Sequence, residues 1–455
     1  MSMLQGKPVS YHLAHGGVWL SFGKLALVAG NIFLNALLAR LLAPADLGVY
    51  WLVFSLVQFL AIFGLFGLSQ AAVRLIAQAL GKNDQVKAKS IARLVIQGAL
   101  LGGLLVSVLL VTGSQWGLNS RLAFLFEGGI ETWVASLVII YMFQTLVAEV
   151  YRGFYDIKYA TIFGGVSNIA LTVVVLMSVW LFLGSSNLKQ VLIVMVVTGM
   201  CSIALSFIIL QGKFKIFSAK KVYVSIEDVF SISWPVWVAG IMTFALTQVD
   251  LWIMGVFAAP DEVAKYGAAF RTVIVMTLPL FIVSSMLPPM ISELHARHDL
   301  ERLGKVVRLT ATVAVIPAFI MMIALLLWAE GILELLFGYG YGDAGIVLAI
   351  LGFGHFINIF SGACGLVLMM TGNQHVMMFI TVIVGSITIA AGIFLFHAYG
   401  AIGVASASCG GMILQNILLL IAVRIRLGLW THARWVGYKE AKSLLQEVKR
   451  VVFAG

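Results

Sequence analysis

Apolar stretches of about 20 residues or more follow one another from residue 16 to residue 423, with only short breaks between them. An α-helix needs about 20 consecutive apolar residues to cross a bilayer. Inside the hydrocarbon a backbone satisfies its polar groups only as a helix or a closed barrel. The breaks predict spans near 16–40, 49–73, 94–114, 132–151, 161–184, 190–211, 231–256, 267–289, 307–329, 344–371, 376–397 and 400–423. Composition agrees: 61% of residues are hydrophobic and 11% charged, against roughly 45–50% and 25% in a soluble domain. The expected fold class is an all-α integral membrane protein with about 12 transmembrane helices. The first stretch is too long for a signal-peptide core and reads as a retained span.

Positive charge orients the spans, because Lys and Arg accumulate in cytoplasmic loops. With both termini inside, the expected cytoplasmic segments hold 23 of the 29 basic residues. The net charge of +10 is then a topology signal and an attraction to anionic headgroups, with no nucleic acid implied. The tail from Arg424, which carries Trp430 and Trp435 among basic residues, reads as an interfacial helix. Cys201, Cys364 and Cys409 sit singly in apolar runs. That spacing suits packing and gives no support to a disulfide or a metal site, and no cofactor is expected.

The chain repeats itself. "LLAPADLGVYWLVF" (41–54) matches "FAAPDEVAKYGAAF" (257–270) at Ala43/Ala259, Pro44/Pro260, Tyr50/Tyr266 and Phe54/Phe270, each pair 216 residues apart. "GKNDQVKAKSIARLV" (81–95) then aligns with "ARHDLERLGKVVRLT" (296–310), placing Asp84 on Asp299 and Arg93 on Arg308. Six spans separate the copies, and an even number restores chain direction. Two six-helix lobes related by a pseudo-two-fold along the membrane normal are expected, the layout of transporters that alternate access between halves. The expected boundaries are 1–211 for the first lobe, 212–230 for a basic linker, 231–423 for the second lobe and 424–455 for a basic tail.

"LLARLLAPADLGVYWLV", "TQVDLWIMGVF" followed by "YGAAFR", "ILELLFGYGY" and "YGAIGVASA" resemble the recurring phrases of bacterial polysaccharide flippases. Those proteins belong to the multidrug/oligosaccharidyl-lipid/polysaccharide exporter superfamily, and the resemblance runs from about Leu37 to Leu427. It implies a V-shaped pair of lobes in the bacterial inner membrane. The implied substrate is a lipid-linked oligosaccharide, usually on undecaprenyl pyrophosphate, turned from the inner to the outer leaflet for envelope polysaccharide or lipopolysaccharide synthesis. Glycan polymerases and glycosyltransferases of the same pathway are the implied partners, beside the bilayer itself.

Ionisable groups inside spans are costly and mark function by default. Lys24, about eight residues into the first span, suits the diphosphate of a lipid carrier; a lysine snorkelling to the headgroups is the plain alternative. Asn31 and Asn35 share a helix face and either line a cavity with Lys24 or pack between helices. Asp250 and Arg271 flank the loop near Pro260 at similar depth. They form either a structural salt bridge or a lining pair, Arg271 for substrate phosphate and Asp250 for tuning or coupling. Glu149, beside Arg152, is a paired end residue or a coupling carboxylate. His355, one turn from Asn358, is an interhelical hydrogen bonder or a titrating group in the transport path. Pro235, Pro279 and Pro317 interrupt spans seven to nine and make the second lobe the more flexible one.

A cation-coupled exporter of the multidrug and toxin extrusion type shares the two-lobe layout. Such exporters take organic cations with buried carboxylates, whereas here the deepest charge in the first span is basic. An enzymatic role finds no support. The longest external segment, near 114–131, offers Arg121, Glu127 and Glu131 but no histidine, and no GxxxxGK[ST] loop for an ATPase occurs.

Overall fold

The computed structural model describes residues 9–115, 129–218, 222–284 and 287–434; Arg121, Glu127 and Trp435 lie outside them. Every element among them is helical. In chain order these are α1 (Val9–Leu41), α2 (Pro44–Leu65), α3 (Leu68–Gly81), α4 (Gln85–Gln115), α5 (Glu131–Gly153), α6 (Ile157–Thr161), α7 (Ser167–Leu183) and α8 (Leu188–Phe214). They continue with α9 (Ile226–Phe257), α10 (Pro260–Val273), α11 (Leu278–Ser284), α12 (Leu287–Ala296), α13 (Leu300–Phe337), α14 (Gly345–Ser361), α15 (Cys364–Met370) and α16 (Gln374–Leu427).

Eleven stretches among the described residues are long and apolar enough to cross a membrane. The last of them, α16, runs for 54 residues but is broken at Gly400 (φ 58, ψ −137). That break separates the eleventh and twelfth expected spans, so the chain is a multi-pass membrane protein as its apolar runs predict. Two compact units form, one of Trp19–Ala264 and one of Lys265 onward with the residues up to Val18. The seventh span, α9, therefore belongs by its packing to the first unit.

The opening repeat marks two helix starts. Pro44 begins α2 and Pro260 begins α10, where a missing N–H costs nothing and the fixed φ is already helical. Tyr50 and Tyr266, the aligned tyrosines, are both buried. Within the first unit the two stretches touch: a Cβ on Gly48 would sit 1.9 Å from the Pro260 carbonyl oxygen and 3.2 Å from the Ala264 nitrogen. Small residues permit this kind of close backbone approach between membrane helices.

One turn recurs four times on the side that positive charge assigns to the cytoplasm. At each, a residue in the left-handed region follows a helix and an Asp or Asn follows it: Asn83–Asp84, Tyr155–Asp156, His298–Asp299 and Gly372–Asn373. The amide of the second residue donates five residues back, Asp84 to Ala79, Asp156 to Tyr151 and Asp299 to Leu294 at 2.9–3.0 Å, and Asn373 to Leu368 at 2.8 Å. This is the six-to-one bond that closes a Schellman-type helix end. The three aspartates then cap the next helix, accepting from the amides of Lys87, Tyr159 and Arg302 at 2.9, 3.3 and 3.0 Å. A single device thus ends one helix and starts the next.

Each unit also closes on itself with a strap. After α8, Lys215 turns left-handed (φ 48) and the chain folds back on α4. There Arg93 Nη2 donates to the Ile216 oxygen at 2.7 Å and Ser90 Oγ accepts from the Val222 amide at 3.1 Å. After α16, Gly428 (φ 71) does the same, and Arg308 Nε on α13 donates to the Trp430 oxygen at 3.0 Å. Thr431 Oγ1 donates to the Ser361 oxygen at 2.9 Å and the Arg434 amide to Thr312 Oγ1 at 3.1 Å. Residues 428–434 are therefore an extended strap rather than the interfacial helix expected there.

Candidate functional site

In the first unit, Lys24, Asn31 and Asn35 lie on one face of α1, seven and four residues apart. Lys24 and Asn31 are exposed, and Asn35 is buried. Asn31 donates through Nδ2 to the Leu27 oxygen and Asn35 to the Asn31 oxygen, both at 2.7 Å. The Asn35 Oδ1 accepts from Trp51 Nε1 of α2 at 2.8 Å.

One turn beyond Trp51, Ser55 accepts from Trp252 Nε1 at 3.0 Å and donates to Gln248 Oε1 at 3.5 Å, both on α9. Asp250 lies between these two in sequence and is only 9% exposed. A polar line thus runs from α1 through α2 to α9 inside the apolar unit, with Asn35 and Ser55 buried along it and the exposed Lys24 and Asn31 further along the same face of α1. Asp250, two residues from both Gln248 and Trp252, is buried on the other side of α9. α2 and α9 come close enough for these bonds because glycine lies at their contact: a Cβ on Gly255 would fall 2.5 Å from Leu52.

A second polar group joins α5, α7 and α8. Asn168 Nδ2 donates to Gln144 Oε1 at 3.3 Å, while its own Oδ1 is buried with no partner among the described residues. Ser167 and Ser202 bond at 2.7 Å, and Thr172 and Thr198 at 2.8 Å. A π-helical turn, Ile162–Val166, precedes them, with Gly165 at φ 142. Such turns mark functional segments often enough that a bend here is informative. Nearer the basic side, Glu149 is buried and ion-paired to Arg152, and Lys213 pairs with Asp156 at 2.8 Å.

The second unit holds the other two expected residues. Arg271 lies in the last turn of α10, just before a 3₁₀ segment at Ile274–Thr277, with its Nε buried. His355 lies on α14 with Nδ1 buried and unpartnered among the described residues. Asp250 and Arg271 fall in different compact units. Among the described residues no cluster of three or more His, Cys, Asp or Glu is arranged to hold a metal ion.

Sequence reading missed Ser55, Gln248, Gln144 and Asn168. The signal was present for the amides, since a Gln or Asn inside an apolar run needs a partner. For Ser55 there was none, because a serine scarcely alters the hydropathy of a span.

Comparison with known proteins bears on these features. Residues 13–295, more than half of the chain, match the family model described as "Polysaccharide biosynthesis protein", and residues 235–394 match the MatE model. An uncharacterized membrane protein of Methanocaldococcus jannaschii is 24% identical over 426 residues, covering 90% of this chain and 82% of the relative. The fold is that of a multidrug resistance MATE family transporter of the MOP superfamily solved in an inward-facing conformation (TM-score 0.70, 16% identity, covering 94% and 96% of the two chains). A MOP superfamily transporter from Pyrococcus furiosus is also similar (TM-score 0.56, 16% identity, 92% and 94% covered); its structure is described as having a binding pocket of reverse polarity. The chain belongs to the polysaccharide biosynthesis protein family and is a multi-pass membrane protein with a MATE-like fold.

Proposed function

We propose that the chain moves a lipid-linked oligosaccharide of the undecaprenyl-pyrophosphate type from the inner to the outer leaflet of a bacterial inner membrane, both termini being cytoplasmic. Alternating access exposes the bound headgroup first to one leaflet and then to the other. The observation that carries this reading is the family match over residues 13–295. The polar face of α1 adds to it: Lys24 offers a cation to a diphosphate and the exposed Asn31 an amide to a sugar hydroxyl, while the buried Asn35 ties that face to Trp51 of α2. Arg271, within the second unit, is by itself a further candidate for an anionic group, and Asp250, Glu149 and His355 are candidates for coupling or gating roles. Glycan polymerases and glycosyltransferases of the same pathway would consume and supply the substrate.

The second reading is a cation-coupled drug exporter, favoured by the MatE match over residues 235–394 and by the buried carboxylate of Asp250. The Pyrococcus furiosus structure is described as suggesting a different function from the polarity of its pocket, so pocket charge is the property to test.

The test compares lipid extracts of a strain lacking the protein with its parent. Accumulation of a complete glycan unit on its carrier, reversed by the wild-type chain, supports flipping. Lys24→Ala is expected to leave at least about tenfold less turnover, as loss of one charge-assisted contact of ~1.5–3 kcal/mol would give. No accumulation together with new sensitivity to cationic dyes would replace the first reading with the second.

A further inference from the structure

Three arginines meet at the second unit's strap. Arg308 Nε donates to the Trp430 oxygen, and Arg424 donates through Nη1 to the Gly428 oxygen while lying 5.5 Å from the centre of the Trp430 ring. Arg434 is held by its backbone alone, through bonds of 2.9 and 3.1 Å with Thr312 Oγ1, which leaves its side chain exposed. The charges acting most strongly on Arg308 are those of Arg434 and Arg424, both cations. None of the three is ion-paired to an acid among the described residues. The acids nearby in sequence are committed elsewhere, Glu301 to Lys305 and Glu293 to Arg297, each at 2.7 Å.

Depth in the membrane follows from exposure along α13. Outward-facing apolar side chains begin at Val313 and continue through Ile316 (61% exposed) and Ile320 (64%). Arg308 lies five residues before them, about 7 Å along the axis at 1.5 Å per residue. Cations are thus placed where hydrocarbon-facing residues end, the depth at which lipid phosphates sit. The aligned position in the first unit differs: Arg93 is 7% exposed, covered by its strap, with the Phe217 ring at 6.0 Å.

We propose that Arg308, Arg424 and Arg434 form a binding site for the phosphate of an anionic headgroup, with the strap's Trp430 as its aromatic floor. A phosphate receives donors from three guanidiniums whose mutual repulsion it relieves. Because the strap is the scaffold, occupancy also holds the end of α16 against α13. The site is independent of the substrate assigned above.

The experiment uses the purified full-length protein, stripped of lipid in detergent and titrated with phosphatidylglycerol, phosphatidylcholine or inorganic phosphate. Bound lipid is read by native mass spectrometry, and the unfolding midpoint gives a second readout. Phosphatidylglycerol is expected to be retained over phosphatidylcholine, and Arg434→Gln to weaken its retention about fivefold, the worth of one basic residue at a membrane surface. Arg424→Gln acts likewise, and the pair multiplies. Arg297→Gln removes the same charge elsewhere on the same side and should change nothing. Raising of the midpoint by millimolar inorganic phosphate as much as by lipid would identify a free anion as the ligand. Equal retention of both lipids with no effect of phosphate, or equal loss in Arg297→Gln, would overturn the site. Arg434 is exposed and its bonds to Thr312 use the backbone, which glutamine keeps, so its variant keeps the test readable.

Discussion

The two straps show what duplication preserves and what it releases. In the first unit Arg93 is buried beneath its strap, and one guanidinium satisfies the carbonyl of Ile216. In the second unit the aligned Arg308 makes the same kind of bond to Trp430, yet stays half-buried beside two further arginines. Backbone closure is common to both; surface chemistry is not. A buried arginine is held by what it bonds, so its loss is structural. An arginine at a rim is open to a ligand, so its loss is felt in binding.

Removal of each arginine sharpens that contrast. Arg93→Ala should cost the most, about 2–3 kcal/mol for a buried charge-assisted bond whose carbonyl is then left unpaired. Arg308→Ala should cost about 1 kcal/mol, because water reaches the freed carbonyl and repulsion among the cations falls. Unfolding midpoints in one detergent compare the two directly, and equal losses would break the distinction. Next come the helix caps. Asp84→Ala and Asp299→Ala should each cost about 1 kcal/mol, whereas Asn373→Ala should cost less, since no side-chain cap bond is made there. The smallest effects have the opposite sign. Asn83→Gly and His298→Gly place glycine where φ is 57° and 58°; His298→Gly should stabilise by about 0.5 kcal/mol of relieved strain, and Asn83→Gly by less, since asparagine tolerates that backbone.

The alignment of Asp84 with Asp299 and of Arg93 with Arg308 marked both positions as a repeated basic connector, because a side chain does the work in each and so leaves a mark at a fixed spacing; that the aspartates cap helices and the arginines hold straps was not legible. The turns at Tyr155 and Gly372 escaped, because they share only a backbone shape, which tyrosine and glycine reach by different means. Span count was legible from apolar runs, but α3, α12 and α15 were not separated from the spans before them. Their apolar residues continue the run across breaks such as Phe66–Gly67, where the backbone turns left-handed. The α1 face was legible as Lys24, Asn31 and Asn35. Its continuation through Ser55 to Gln248 was not, since these bonds span 193 residues and depend on which helices meet.

The four turns and the two straps also differ in when they can form. Each turn closes within six residues, so a helical hairpin is complete almost as soon as its second helix leaves the ribosome. A strap bond joins residues 123 apart in the first unit and 122 apart in the second. Neither can form until the sixth span of its half has been inserted. Arg93 and Arg308 therefore wait, at the membrane surface, for the end of the segment that covers them, and their capture marks a half as finished. A chain interrupted before residue 216 or residue 430 would carry correctly turned hairpins with an uncaptured arginine.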